Sequence, residues 1–304
     1  MDGDARRTAR GDGGMNSTQS QDNAASFDHS SDPHFLAYYE EASLSEATLQ
    51  RFRTIRNKSL ALLAAHGHEV AHLRIADIGC GAGTQSLLWA ELGHSVLGLD
   101  INAPLVEVAQ RRAAERGLRV DFRVGTATAL PLEDSSVDVC LLPELLEHVP
   151  DWEACLREAA RSLDVGGLLY VSTTNVLCPV QSEFNLPLYS WYPRFVKRRY
   201  ERLAVTTRPA VANYAKYPAV NWFTFYGLRD YLAPLGFKCL DRFDMIDLER
   251  VRAPMRPLVR MARAIVPVRF FGHLFTPSTS VFAVKTASTA NGRPASQIVS
   301  VVRK

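Results

Sequence analysis

A chain of 304 residues with 47% apolar composition can bury a sizeable core, which sets aside a peptide or a disulfide-stapled miniprotein. Its formal charge of +3 is too mild for a nucleic-acid binder, which concentrates a strongly basic face, so no nucleic-acid partner is expected. The five cysteines, Cys80, Cys140, Cys155, Cys178 and Cys239, include no pair at the two-residue separation of zinc and thiol-redox motifs, and a reducing cytoplasm is the expected setting.

Residues 1–33 are Asp, Gly, Ser, Asn, Gln and Arg with almost nothing to bury, and they read as a disordered leader lacking an apolar secretion signal. No apolar run reaches the roughly 18 residues that would span a bilayer. Between Ser45 and His66, Leu49, Phe52, Ile55, Leu60 and Leu63 recur at helical spacing and predict an amphipathic helix. Strand-like and helix-like segments then alternate. Strands are predicted over 73–78, 95–100, 119–124, 137–142 and 168–173, with helices over 84–92, 104–116 and 152–163, a pattern that argues for a parallel sheet covered on both faces.

After Thr174 the rhythm stops, and a stretch to about residue 222, rich in proline and aromatic residues, reads as an insertion. Alternation resumes with a helix over 224–235, stopped by Gly236, and a strand over 237–243. A second insertion follows, carrying Pro254, Pro257, Pro267 and Pro277, and is expected to be helical at most between the second and third of these. A last strand over 280–285 precedes a polar tail over 287–304. The expectation is one domain over 34–286 with cap insertions at about 175–222 and 245–279.

The first strand runs into Asp77-Ile78-Gly79-Cys80-Gly81-Ala82-Gly83, and Thr84 begins a helix. Glycines there let the backbone approach a ligand and adopt dihedrals closed to other residues. Dinucleotide loops read Gly-x-Gly-x-x-Gly to seat a pyrophosphate on a helix N-terminus, whereas the spacing here is Gly-x-Gly-x-Gly. Asp77, at a strand end, suits fixing the loop amides or accepting from a cationic amine, and would sit badly beside a pyrophosphate. Asp100 ends the second strand 21 residues after Gly79, where a carboxylate can accept from both ribose hydroxyls. A cofactor with a ribose and an ammonium but no phosphate fits this set. The bland alternative for the glycines alone is a tight turn.

The segment from Arg74 to Val171 resembles the core of the class I S-adenosylmethionine-dependent methyltransferases. That resemblance implies an α/β fold, a doubly wound Rossmann-like seven-stranded mostly parallel sheet with a cap insertion, whose last strand inserts antiparallel beside strand 237–243. It implies S-adenosylmethionine as cofactor, cradled by Gly79 and Gly81, held at the ribose by Asp100 with Ile101 beside it, and packed at adenine by Thr126 and Ala127, with Pro143 and Asp77 completing the site. Many members carry Asp where Thr126 stands, and a threonine hydroxyl accepts more weakly than a carboxylate. The helix over 45–66 is expected to lie across this site. The ubiquinone-biosynthesis O-methyltransferases touch the cofactor with an arginine of their N-terminal helix that has no clear counterpart here; Arg56 and Lys58 lie near that place.

Ligands of open α/β sheets lie beyond the carboxyl ends of strands, so the loop from Pro143 to Pro150 is expected to face the transferring methyl. The order Glu144-x-x-Glu147-His148 followed by Val-Pro-Asp most resembles the ubiquinone-biosynthesis O-methyltransferases and their relatives. The resemblance implies that Glu144, Glu147 and His148 bind a divalent metal, such as magnesium, beside a catechol-like substrate. Three readings stay open. The trio could hold a metal that lowers the pKa of a hydroxyl. His148 could act alone as general base, an effect worth roughly 10²–10⁴-fold. Glu147 and His148 could simply cap a helix and support the loop.

Residues 184–226 hold 12 of the chain's 28 aromatics, which suits either a cap lining a ring-bearing pocket or a small core of its own. Arg194, Lys197, Arg198, Arg199 and Arg202 lie among them, fit for a phosphate or acidic group, or for a solvated helix face. Arg252, Arg256, Arg260 and Arg263 beside Val259, Met261, Ile265 and Val266 would suit peripheral contact with the inner face of a membrane if the substrate is lipid-linked. The expected activity is O-methylation of a small molecule: a quinone precursor, a glycan or a secondary metabolite. A carbon or nitrogen acceptor, or a catalytically silent partner subunit, are the alternatives. A nicotinamide oxidoreductase is disfavoured by the glycine spacing.

Overall fold

A computed structural model describes Leu36, Tyr39 and residues 41–181, 183–212 and 219–286. The expected leader and tail, and with them Tyr214 and Tyr217, lie outside the described residues. The strands are β1 (Arg74–Ile78), β2 (Ser95–Asp100), β3 (Asp121–Val124), β4 (Val137–Pro143), β5 (Leu163–Thr174), β6 (Phe237–Leu240) and β7 (Ser278–Lys285). They form one sheet in the order β3-β2-β1-β4-β5-β7-β6. The first five pair in parallel, and β7 lies antiparallel between β5 and β6. This is the doubly wound arrangement predicted, and the strand order reverses between β1 and β4, the place where such sheets open a crevice.

The period-two alternation of the central strands builds both halves of the core. Ala76, Ile78, Cys140, Leu142 and Val171 face α4 (Trp152–Ser162) and α6 (Phe225–Leu232), burying Leu156, Ala159, Leu228 and Leu232. Ile75, Val139, Leu141, Tyr170 and Phe282 face the other way, against Ile55 and Leu63 of α1 (Glu46–Ala65) and Trp89 of α2 (Thr84–Ala90). α3 (Ala103–Glu115) closes the far edge by packing Val106, Ala109 and Ala113 on Phe122. Each of α1, α3, α4 and α6 starts where the sequence offers a capping side chain: Ser45, Asn102, Asp151 and Thr224 accept from backbone N–H groups one turn on.

The insertions hold more helix than expected. The first contains α5 (Arg194–Thr206). In the second, α7 (Arg256–Ala264) takes in Pro257 in its first turn and ends before Pro267, near the predicted span, but α8 (Val266–Leu274) follows directly, with Pro267 in its first turn. Proline is tolerated there because its missing N–H would have no helical partner anyway. Strand β6 stops at Leu240 because Asp241 turns the chain, accepting from the N–H groups of Phe243 and Asp244 at 2.8 and 3.2 Å. Among the described residues no helix is long and apolar enough to cross a membrane.

Candidate active site

The glycine loop after β1 has the conformation its composition predicts: φ is +75° at Gly79, +51° at Gly81 and +76° at Gly83, a region that favours glycine. Space reinforces the dihedrals. A Cβ on Gly83 would stand 2.7 Å from Ala109 Cβ, and one on Gly79 would stand 2.9 Å from Leu145 Cδ1. Asp100, half-buried at the end of β2, clamps the loop from outside: Oδ2 accepts from the Gly81 N–H at 2.8 Å and Oδ1 from the Asn102 N–H at 2.9 Å. Ile101 beside it is exposed, Thr126 is exposed and Ala127 half-buried. Thr126 shares a 2.9 Å hydroxyl bond with Thr128.

Asp77 does something different from the expectation. Its carboxylate accepts from Ser86 Oγ at 2.6 Å and Gln85 Nε2 at 3.4 Å, so it anchors α2 behind the loop and leaves the loop amides to Asp100. Burial lifts its pKa to about 6; the Ser86 bond opposes the rise and the charge of Asp100 adds to it. The residues present fit a nucleoside cofactor with an amino-acid arm: a glycine cradle, a half-buried carboxylate at a strand's carboxyl end, and an exposed apolar side chain next to it. Asn102 Nδ2 and Gln85 Oε1 are buried polar atoms without a hydrogen-bond partner among the described residues.

At the end of β4 the chain enters the second loop. Glu144 adopts φ +53°, donates its N–H to the Ser172 carbonyl at 2.8 Å, and pairs through Oε1 with Arg51 Nη1 of α1 at 2.5 Å. Glu147 turns inward and is only 2% exposed. It accepts from the Thr173 hydroxyl at 2.7 Å. Burial pushes its pKa up to about 8, with the Thr173 bond opposing and Glu144 and Glu183 adding to the rise. His148 is half-buried, its N–H donated to the Leu145 carbonyl.

This geometry corrects the expected magnesium site. Glu147 turns inward onto the Thr173 hydroxyl, while Glu144 turns out to pair with Arg51, so the two carboxylates do not converge. Among the described residues no group of three or more His, Cys, Asp or Glu side chains is placed to hold a metal ion. Glu147 instead supports the loop.

The cap is stitched to that loop. Val220 and Asn221 donate their N–H groups to the Glu147 carbonyl at 2.9 and 3.1 Å. The Asn221 side chain donates to the carbonyls of Leu146 at 3.0 Å and Val149 at 2.7 Å. Most of the cap's rings form a core of their own: Phe184 and Tyr189 are buried and stacked, with Tyr192, Tyr200 and Trp222 around them. Phe223 and Phe225 belong to the main core, whereas Trp191 and Phe195 are exposed. The basic cluster divides as well. Lys197 is buried, its Nζ donating to the Ser190 carbonyl at 2.7 Å and lying 4.4 Å from the Trp222 ring centroid, so it holds the cap together.

Several contributors to the site carried no sequence signal. Arg51 is the α1 cation that reaches the Glu144 loop, whereas Arg56 donates to the Leu88 carbonyl. Arg112, buried, donates to the carbonyls of Ala82 at 2.9 Å and Tyr39 at 3.5 Å, tying the glycine loop to the segment before α1. The Tyr39 ring covers the loop, 3.4 Å from where a Gly81 Cβ would stand. Glu183 lies half-buried in the cap, lifted to about 7 by burial and by Glu144. Its residue type alone would not have distinguished it from any surface acid.

A family model described as a methyltransferase domain matches residues 76–171. The ubiquinone biosynthesis O-methyltransferase of Chelativorans sp. (strain BNC1) is 43% identical over 103 residues, which are 34% of this chain and 41% of that protein. The enzyme of the same name from Xanthomonas euvesicatoria pv. vesicatoria (strain 85-10) is 42% identical over 108 residues, covering 35% and 45%. The chain thus spans less than half the length of these curated relatives. Among solved structures, the YcgJ protein from Bacillus subtilis is similar at 20% identity and a TM-score of 0.48, with 76% of this chain and 100% of that one covered. The matched residues run from β1 to β5 and take in the glycine loop, Asp100, Thr126 and the loop after β4. Residues 76–171 are therefore a methyltransferase domain of the class I S-adenosylmethionine-dependent type.

Proposed function

We propose that the chain transfers a methyl group from S-adenosylmethionine to a hydroxyl oxygen of a small ring-bearing or lipid-linked molecule. The observation that carries this reading is the meeting of two loops: Leu145, beside Glu144, packs against Gly79 closely enough that a Cβ there would lie 2.9 Å away. The cofactor cradle and the loop with titratable side chains therefore share the crevice at the strand-order reversal. S-adenosylmethionine, when bound, supplies a methyl carbon already activated by its sulfonium. Asp100, at the carboxyl end of β2, would hold the ribose hydroxyls. Gly79 and Gly81 would present bare backbone to the amino-acid arm, with Pro143 beside it. Thr126 and Ala127 would meet the adenine, the Thr126 hydroxyl standing where an acceptor for its amino group is needed, and Ile101 would lie beside Asp100. His148 takes the acceptor's proton, an effect worth roughly 10²–10⁴-fold, while alignment supplies most of the remaining acceleration. The names of the similar proteins support a phenolic quinone precursor among the acceptors; a glycan hydroxyl and a secondary metabolite are the other classes.

An amine acceptor is the second reading, favoured by Glu183, a half-buried cap carboxyl whose charged form a neighbouring ammonium would stabilise. Calorimetry with S-adenosylhomocysteine and methyl-transfer assays on catechol and amine probes test both. Asp100→Ala is expected to weaken cofactor binding at least about tenfold. His148→Ala should keep that binding and slow transfer to the catechol; an unchanged rate across pH would remove its role as base. Absence of cofactor binding by the intact chain would refute the methyltransferase reading and favour a silent partner subunit.

A further inference from the structure

We propose that α7 and α8 form a docking surface for an anionic lipid bilayer, seating the chain peripherally with its active-site edge toward the membrane. The pair is amphipathic in the reverse sense from a helix packed on a protein core. Its polar side chains point in. Arg263 donates to the carbonyls of Phe243, Asp244 and Ile246 at 2.9, 3.2 and 2.5 Å. Arg269 donates to Asp241 at 2.7 Å and pairs with Asp244, and buried His273 shares a 2.7 Å bond with Asp241. The apolar side chains point out. Leu258, Met261 and Ile265 recur at i, i+3 and i+7, and Val266, Phe270, Phe271 and Phe275 continue the stripe on α8. Phe275 is 75% exposed, Val266 72% and Phe271 57%. Scattered exposed apolar residues are ordinary, but a contiguous stripe on two consecutive helices marks an interaction surface.

Charge names the occupant. Residues 251–277 contain five arginines and no Asp or Glu. Three of the arginines are occupied within the protein: Arg263 and Arg269 as above, and Arg256 by the carbonyls of Val251 and Glu249. Arg252, just before α7, and Arg260, within it, are exposed and add positive charge to the same segment as the apolar stripe. An apolar face joined by cations matches the boundary between anionic headgroups and acyl chains.

The surface is also placed to matter. At the end of β5, Asn175 Nδ2 donates to the carbonyls of His273 and Thr276 at 2.8 and 2.7 Å, pinning the end of α8 to the same sheet edge from which the Glu144 loop emerges. Docking would therefore present that edge to the bilayer, and the acceptor class it favours is an amphiphile reached from the membrane surface. This last step rests on the methyltransferase reading; docking itself does not.

Flotation of the full chain with vesicles tests the proposal. Vesicles of equal parts phosphatidylcholine and phosphatidylglycerol should carry the protein up the gradient, and phosphatidylcholine alone should carry much less. Phe271→Ser with Phe275→Ser should lower partitioning at least about tenfold, and Arg252→Glu with Arg260→Glu should abolish the preference for the anionic lipid. Far-ultraviolet circular dichroism must match the parent for both variants, which separates lost docking from lost fold. No flotation of the parent, or equal flotation of parent and phenylalanine variant, overturns the proposal. So does a dimer in sedimentation equilibrium that the phenylalanine variant dissociates while vesicles stay unbound, since a second copy would then own the surface. Vesicle binding by a chain that fails to bind S-adenosylhomocysteine would support docking and refute only the catalytic reading.

Discussion

Replacing Glu147 by Gln removes a carboxyl that burial holds neutral, and the resulting gain in stability should grow with pH. The folded-state pKa is lifted from 4.5 to about 8. Between those values the folded chain keeps a proton that the unfolded chain has released, so raising the pH favours unfolding. Stability should fall by about 1.4 kcal/mol per pH unit across that window, reaching about 3 kcal/mol at pH 7 and levelling near 5 kcal/mol above pH 8. Gln retains an oxygen to accept from the Thr173 hydroxyl and does not titrate. Urea unfolding of both proteins at about pH 5, 7 and 9 isolates the effect, because other titrating groups are common to the pair. The variant should be nearly equal to the parent at the lowest pH and more stable by about 3 kcal/mol or more at the higher values. A gap of the same size at all three would refute the reasoning.

Gly83→Ala should cost about 2–4 kcal/mol, because its Cβ would meet Ala109 and Phe122 at 2.7 and 2.8 Å on a backbone with φ +76°; a lowered Tm reports it. Lys285→Met should cost about 2–4 kcal/mol in chemical denaturation, since its buried amine donates to the carbonyls of Ala160 and Leu163 at 2.8 and 2.7 Å and both would lose their partner. Arg51→Ala should change stability by less than about 1 kcal/mol, because the Arg51–Glu144 pair is half exposed on both sides; a larger loss in denaturant would give that pair a structural role it is not expected to have.

The parts of this molecule that the sequence made legible are those encoded by short spacings. Three glycines at alternate positions dictate the loop, and short apolar runs such as Val137–Leu142 dictate buried strands, whose alternation with helices implies a parallel sheet. What could not be read depends on partners far apart in the chain. Arg51 meets Glu144 across 93 residues and Asn221 meets Leu146 across 75, with no periodicity linking either pair. Residue type also misled where burial decides the role. Glu147 and Lys197 belong to sets that look chemical in the sequence, yet the first supports a loop and the second a small aromatic core. Pro267 reads as a breaker and in fact opens a helix, because only its position relative to the first turn settles which it does.

Asn221 gives the cap and the loop after β4 a common frame. Between its backbone and its side chain it holds the carbonyls of Leu146, Glu147 and Val149, so a displacement of the cap is passed on to the loop that carries Glu144 and His148 instead of being taken up by slack. Under the proposed function, the shape of the cap and the alignment for transfer would be coupled variables. Acceptor preference would then drift freely only at cap positions away from that strap, and a graft that exchanges the strap would exchange that alignment with it.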